Sequence, residues 1–409
     1  MTQFELLPWL RHGLSRHLDR AIWPLSASVD NLGRLWVGGV SVTEIAADYG
    51  TPAYVVDELD FRARIRAYRV ALPGAELVYA GKALLSSAVA DWADTEGAGL
   101  NVCSPGELAT VLTAGVPPSQ IVLHGNAMTG GELHDAVDAG VGRIVVDSPN
   151  TIALLAAQVR RRQSVLIRVI PEIEAAGRHE GGLGFTLADG RAARAVRRIL
   201  AQPWLRLIGL HCHLGSRITD ARRCGAAIRQ LVALMAEVRD RHGVVLTQLD
   251  LGGGHGVPYL SGDPELSPQV LAGVVDSTLR SACADHGYPR PQIVIEPGRA
   301  IAARAGITLY RVVDVRHRPG GRSFVVVDGG MVDNPHEGLR GVKYTAALAN
   351  RHVPTTTTPV TIVGRQCEAG EEIARDVELP IDIQPGDLLA LAPTTIRWGR
   401  PATWSAVRH

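Results

Sequence analysis

The sequence predicts an α/β protein: a (β/α)8 TIM barrel followed by a mainly β C-terminal domain. Three observations carry this. Short β-rich runs recur, each followed by a turn and an amphipathic helical pattern. Eight of them precede residue 300. Beyond it the helical intervals thin out, and strand-like runs alternate with Gly, Pro and Asp turns.

In order, the eight runs are LVYAG near 77, LNVCS near 100, IVLHGN near 121 and RIVVDS near 143, then VLIRVIP near 165, LIGLHCHLGS near 208, LTQLDLGGG near 246 and IVIEPGRA near 293. The first four recur about every 22 residues, close to the shortest practical β-α unit. SPGELATVLTAG, GGELHDAVDAG and CGAAIRQLVALMAEVRDRHG lie between them, with apolar residues at helical spacing and glycine at the C-terminal ends. Strands alternating with helices imply parallel pairing, right-handed crossovers and closure into a barrel. An open doubly wound sheet is the competing arrangement, but no GxGxxG follows the first strand. The barrel is assigned to residues 46–300, and residues 301–409 to the β domain, clipped at its end. ITLYRVVDVRH, SFVVVDGGM, TPVTIVGR and LLALAP are its expected strands. The N-terminal segment 1–45 contributes to that domain, with RLWVGGVSV expected to add a strand.

Composition narrows the function. A formal net charge of +1 gives no electrostatic handle on nucleic acid or anionic membrane. No apolar run approaches the roughly 20 residues of a membrane span. The opening MTQFELLPWLRHGLSRHLDRAIWP, with Glu5, Asp19 and scattered arginines, is a poor signal peptide. The five cysteines are widely spread without a CxxC, which suits reduced thiols and a cytoplasmic location.

In such a barrel, catalytic groups collect where the strands end. Strand one ends at Lys82, strand two at Cys103-Ser104 and strand three at His124-Gly125-Asn126; strand five carries Arg168. Strand six ends in His211-Cys212-His213-Leu214-Gly215-Ser216, strand seven in Gly252-Gly253-Gly254 and strand eight in Glu296-Pro297-Gly298-Arg299. Lys82 stands out because the chain has 42 Lys and Arg in all, and only Lys82 and Lys343 are lysine. The glycines read either as a tight turn or as a nest of backbone N–H groups for a phosphate. His211 and His213 share one side of a strand, but two histidines without a third nearby ligand do not make a metal site, and no metal is expected.

Together these residues suit pyridoxal 5'-phosphate. Lysine supplies the imine, which arginine cannot, and desolvation inside the barrel would favour its neutral amine. A carboxylate facing the pyridine nitrogen holds it protonated, making the ring an electron sink. An imidazole can stack on the ring, while glycines and a serine take the phosphate.

VYAGKAL, SPGEL, IVLHGN, VDS, GLHCHLGS, LDLGGGHG, EPGRAI, VDGGMVDN and CEAGE, spread from about Trp23 to about Trp404, carry a family resemblance. The chain resembles the fold-type III pyridoxal-phosphate decarboxylases (the diaminopimelate/ornithine decarboxylase family, with an alanine racemase-like barrel), most closely the actinobacterial diaminopimelate decarboxylases. The resemblance implies that Lys82 is the Schiff-base lysine and that His213, not His211, stacks on the ring. It implies phosphate-side contacts from Ser216, Gly253, Gly254, Gly298 and Arg299, and Glu296 as partner of the pyridine nitrogen. Cys367, with a catalytic role, and Glu368 match a Cys-Glu pair that crosses into the neighbouring subunit's site, which implies a homodimer with shared active sites.

Departures from the family cluster on the substrate side. His336 stands where the family has an arginine gripping the substrate's distal carboxylate, and Arg340 where it has a tyrosine. A Lys-Phe-Gly has become Gly182-Leu183-Gly184, an aspartate on strand two is Asn101, and the aspartate after CEAG is Glu371. LLALAPTTIRWGRPATW is shortened and has lost the tyrosine that reaches the cofactor phosphate and substrate region; Arg397 is the candidate to replace it in space. Losing a bidentate arginine at a carboxylate site is not neutral. The substrate contacts are therefore expected from Arg299, His336, Arg340 and Glu368. The expected activity is α-decarboxylation of an amino acid, free or tethered to a carrier protein. Three readings stand beside it: authentic meso-diaminopimelate decarboxylation, a non-catalytic cofactor-binding protein, and racemisation.

Overall fold

A computed structural model describes residues 18–173, 183–317, 323–330, 333, 343–353, 356–365, 371–394 and the backbone of 404–407. The chain divides into two compact units: Arg64–Gly256 with Pro264–Ala300, and Met1–Ala63 with Val257–Asp263 and Ile301–His409.

The first unit contains eight parallel strands: β1 (Glu76–Ala80), β2 (Gly99–Val102), β3 (Ile121–His124), β4 (Arg143–Val146), β5 (Gln163–Ile170), β6 (Leu205–His211), β7 (Gln248–Asp250) and β8 (Gln292–Ile295). Each pairs with the next, and β8 returns to β1 through Val294↔Glu76, so the eight close into a barrel, with the short strand Phe185–Thr186 added beside the end of β5. All eight coincide with the runs read from the sequence. The intervening helices start where serine or threonine can accept an orphan backbone N–H. Ser86, Ser104, Thr129, Ser148 and Ser267 all do so, and Ser104, Ser148 and Ser267 are each followed by proline at the first helical turn.

Val78, Val122, Val145, Leu166 and Val294 fill the barrel as one apolar cluster. Arg143, at the start of β4, is buried and donates to Glu76 at 2.8 Å and to Gln248 at 3.1 Å. These three polar residues satisfy one another at the N-terminal mouth of the barrel. Chemistry is left to the C-terminal rim.

The second unit holds an eight-stranded sheet. Its long strand Gly306–Arg316 pairs antiparallel with Ala53–Asp57, Ser323–Val327 and Leu388–Ala392. RLWVGGVSV does not join that sheet. Leu35–Val37 and Val40–Ser41 form a hairpin about Gly38 and Gly39, both at positive φ, and with Ser28–Val29 make a separate three-stranded sheet. Leu35, Val37, Val55, Ile307 and Ala390 nevertheless share one core. Among the described residues no helix is long and apolar enough to cross a membrane.

Candidate active site

Lys82 sits in the single helical turn Gly81–Ala83 directly after β1. The turn is held by the buried Tyr79, whose hydroxyl donates to the Leu84 carbonyl at 2.7 Å. The sequence reading expected the barrel to desolvate this amine. The structure corrects that: Lys82 is exposed, because it lies on the turn beyond the strand rather than in the bore. Its charge is nonetheless felt by Cys103, Glu107 and His213. The Glu-Pro-Gly-Arg segment lies alongside, with Ala80 N–H donating to the Pro297 carbonyl at 3.2 Å. A Cβ at Gly298 would stand 2.9 Å from that of Ala83, so glycine is what allows the approach.

Glu296, the first residue past β8, is 4 % exposed. His124 Nε2, at the end of β3, lies 2.7 Å from its Oε1, and His211 Nε2 faces Oε2 at 3.6 Å. Burial works to raise the Glu296 carboxyl, but the two imidazoles, His124 foremost, outweigh it and hold the group well below the ordinary carboxylate range. Beside it Asp250, at the end of β7, moves the other way. Burial, and then the Glu296 charge, push it well above its usual value, against the Gly252 N–H that it accepts at 2.8 Å. The two carboxyls are thus pushed in opposite directions. His211 is driven down to about 3 by burial, and the rings of His124 and His211 meet edge to face at 4.7 Å.

His124, His211, Asp250 and Glu296 place their donor atoms within 4.8 Å of one another, the one such group of potential metal ligands among the described residues. The sequence reading missed this cluster. It had His124 and His211 at strand ends without a role and passed over Asp250, although an aspartate at a strand end, one residue ahead of three glycines, was the available signal. The pairing of His211 with His213 considered there is not what forms. His213 stands outside the cluster, held well below the ordinary imidazole range by burial and then by Lys82. Arg168, on β5, is lowered by burial and offset by Asp147 and then Glu296. Burial pushes the Cys103 thiol up to about 11.

Beside this cluster the loops after β6 and β7 come together. Gly252 and Gly254 have φ of +65° and +87°; a Cβ at Gly253 would stand 2.0 Å from the Glu296 carbonyl oxygen, and one at Gly254 1.9 Å from that of Gly215. Ser216 Oγ accepts from Arg299 Nη2 at 2.7 Å. Glycine backbone, a hydroxyl and a guanidinium suit a phosphate, and an amine and a buried carboxylate stand in the same barrel rim. The residues present thus fit pyridoxal phosphate. His336, Arg340, Cys367, Glu368, Gly182 and Arg397 lie outside the described residues.

A closed parallel barrel with this rim defines the class as a pyridoxal-phosphate enzyme of the barrel type. The chain belongs to the pyridoxal-dependent decarboxylases: residues 58–303 match the family's pyridoxal binding domain. It is 46% identical over 401 residues to a diaminopimelate decarboxylase of Actinosynnema pretiosum, covering 96% of this chain and 90% of that one. It is 40% identical over 397 residues to that of Mycobacterium tuberculosis, covering 92% and 89%. Among solved structures, diaminopimelate decarboxylase of M. jannaschii in complex with L-lysine superposes with a TM-score of 0.84 at 26% identity, over 91% of this chain and 88% of that one. The protein is a pyridoxal-phosphate-dependent amino-acid decarboxylase of the fold-type III class, similar to the actinobacterial diaminopimelate decarboxylases.

Proposed function

We propose that the substrate is an α-amino acid whose distal end is held differently from that of meso-diaminopimelate. The observation that carries this is the replacement, within a chain so similar to its relatives, of the distal-carboxylate arginine by His336, with Arg340 in place of a tyrosine and a shortened segment before Trp404. A histidine is a conditional cation and cannot offer the two parallel N–H groups of arginine. Arg340, helped by Arg397, would then supply the charge for a simpler, longer or carrier-tethered acyl end.

When bound, pyridoxal phosphate supplies the sink for the electron pair left as the α-carboxylate departs as carbon dioxide. Lys82 holds the cofactor covalently. Glu296, held well below the ordinary carboxylate range foremost by His124, would face the ring nitrogen and favour its protonated form, while Asp250, pushed the other way, would not add a second buried charge. His213, held well below the ordinary imidazole range by burial, would flank the ring without repelling it. Ser216, Gly253, Gly254, Gly298 and Arg299 hold the phosphate end, and Arg299 also lines the substrate side. Cys367 and Glu368 complete the site from a second copy of the chain in a homodimer. The four described cysteines are free thiols, which suits work in the cytoplasm.

The second reading, decarboxylation of meso-diaminopimelate itself, is favoured by the names of the relatives and by 46% identity over nearly the whole chain. Carbon dioxide release from a panel of amino acids separates the two. The altered-pocket reading expects weak or no turnover of meso-diaminopimelate. It also expects Arg340→Ala to raise KM for an acidic substrate strongly while cofactor absorbance is unchanged. Efficient turnover of meso-diaminopimelate with a harmless Arg340→Ala selects the second. The shared site is tested by subunit exchange: Lys82→Ala and Cys367→Ala homodimers, each inactive, should regain activity when mixed.

A further inference from the structure

Three consecutive glycines lack side chains with which to hold a shape, and glycine is the residue with most backbone freedom to lose. Yet Gly253 and Gly254 must present their N–H groups in one arrangement to accept an anion, the Gly252 N–H being taken by Asp250. The first side chain after them is His255. Its ring is buried, 4 % exposed, with Nδ1 2.7 Å from the hydroxyl of Tyr68 on the helix Glu58–Ala71. The two rings stack at 5.5 Å between centroids and 22° between planes, and Tyr68 is itself buried. Burial alone pushes His255 down to about 4, so the ring is neutral at physiological pH.

The backbone at His255 is stitched to the neighbouring loop as well. Ile218 N–H donates to the Gly254 carbonyl at 2.9 Å, and Gly256 N–H to the Ile218 carbonyl at 2.8 Å. One anchored side chain thus holds both the glycine loop and the loop bearing Ser216. An apolar side chain would fill the space with less desolvation. What the imidazole adds is a directed hydrogen bond to a fixed neighbour.

We infer that His255, anchored by Tyr68, is a positioning residue that fixes the glycine loop in its phosphate-accepting shape. The inference rests on reading Gly253 and Gly254 as phosphate contacts, and it names what pre-organises them.

The test compares equilibrium binding of two probes to the apoenzyme by absorbance: pyridoxal phosphate, and pyridoxal, which lacks only the phosphate. The wild-type protein prefers pyridoxal phosphate, and inorganic phosphate competes with it. His255→Phe and Tyr68→Phe each weaken pyridoxal phosphate by about tenfold, as expected for one buried hydrogen bond, and leave pyridoxal unchanged. The double variant is no weaker than His255→Phe alone, because the two residues share one bond. His255→Asn, with a polar atom near the Nδ1 position, recovers part of the affinity. Urea unfolding confirms the fold of each variant; should His255→Phe not fold, Tyr68→Phe, which removes a single hydroxyl, carries the test. Affinity for pyridoxal phosphate within about twofold of wild type in both single variants, or equal losses for the two probes, overturns the inference. Wild-type protein that binds both probes equally and ignores inorganic phosphate overturns instead the phosphate reading of the glycine loop.

Discussion

Glu296→Gln is the sharpest test of the buried charge at the barrel rim. The change preserves shape, so the packing around a residue 4 % exposed is retained and cofactor should still bind. What goes is the negative charge. Two hydrogen bonds change from charged to neutral: the one from His124 at 2.7 Å, and the one proposed from the cofactor's ring nitrogen. His211 at 3.6 Å is beyond hydrogen-bond distance and is not counted. Each change weakens a bond by about 1–1.5 kcal/mol, so about 2–3 kcal/mol is lost in all. Only the ring-nitrogen bond strengthens as charge moves onto the ring, so kcat carries about half of this, roughly 5- to 13-fold. Asp250 complicates the arithmetic, because removing the Glu296 charge removes one of the reasons its carboxyl stays protonated. It can then ionise and restore part of the field, so Glu296→Gln/Asp250→Asn should be slower than Glu296→Gln alone. The assay is carbon dioxide release at saturating substrate, with cofactor occupancy read by absorbance. Turnover within about threefold of wild type at full occupancy would refute the electrostatic role of Glu296.

Three further outcomes are expected. Borohydride reduction of the loaded enzyme and peptide mapping should place the pyridoxyl group on Lys82; label on Lys343, an exposed residue of the β unit, would overturn the assignment of the rim. Asp250→Asn should stabilise the protein at pH 7–8 and not at pH below about 4, measured by urea unfolding. A carboxyl whose folded pKa is raised keeps a proton that the unfolded chain releases above about 3.9, so stability falls as pH rises through that window, and asparagine removes the loss while keeping an oxygen for Gly252 N–H. Equal stability of the two proteins at both pH values would show that Asp250 is not held protonated. Gly254→Ala should lose pyridoxal-phosphate affinity and lower Tm together, since its Cβ would fall 1.9 Å from the Gly215 carbonyl oxygen at a φ of +87°; a variant with unchanged affinity would mean that the two loops separate freely.

The eight strands of the barrel were legible in the sequence because strand period, turn residues and helix caps are local properties: Ser-Pro at 104, 148 and 267 opens a helix each time. So was the place of Lys82, Glu296 and the glycines at strand ends, because a parallel barrel puts every such end on one rim. That Leu35–Ser41 belongs with the β unit was expected, but not that it forms a separate small sheet there, since which sheet a short strand joins depends on partners far along the chain. The sequence could not show that His124 and Glu296, 172 residues apart, meet, because only closure of the barrel brings β3 and β8 to one mouth. Nor could it show that Lys82 is exposed, or that Asp250 and Glu296 titrate in opposite directions. Charge at a buried site depends on distance and desolvation, and neither is written in residue order. Tyr68 and His255, 187 residues apart, make the same point. Which residue types stand at the candidate site's strand ends was written in the sequence, but their meeting and electrostatics were decided by the fold, because only a closed barrel excludes water from four strand ends at once.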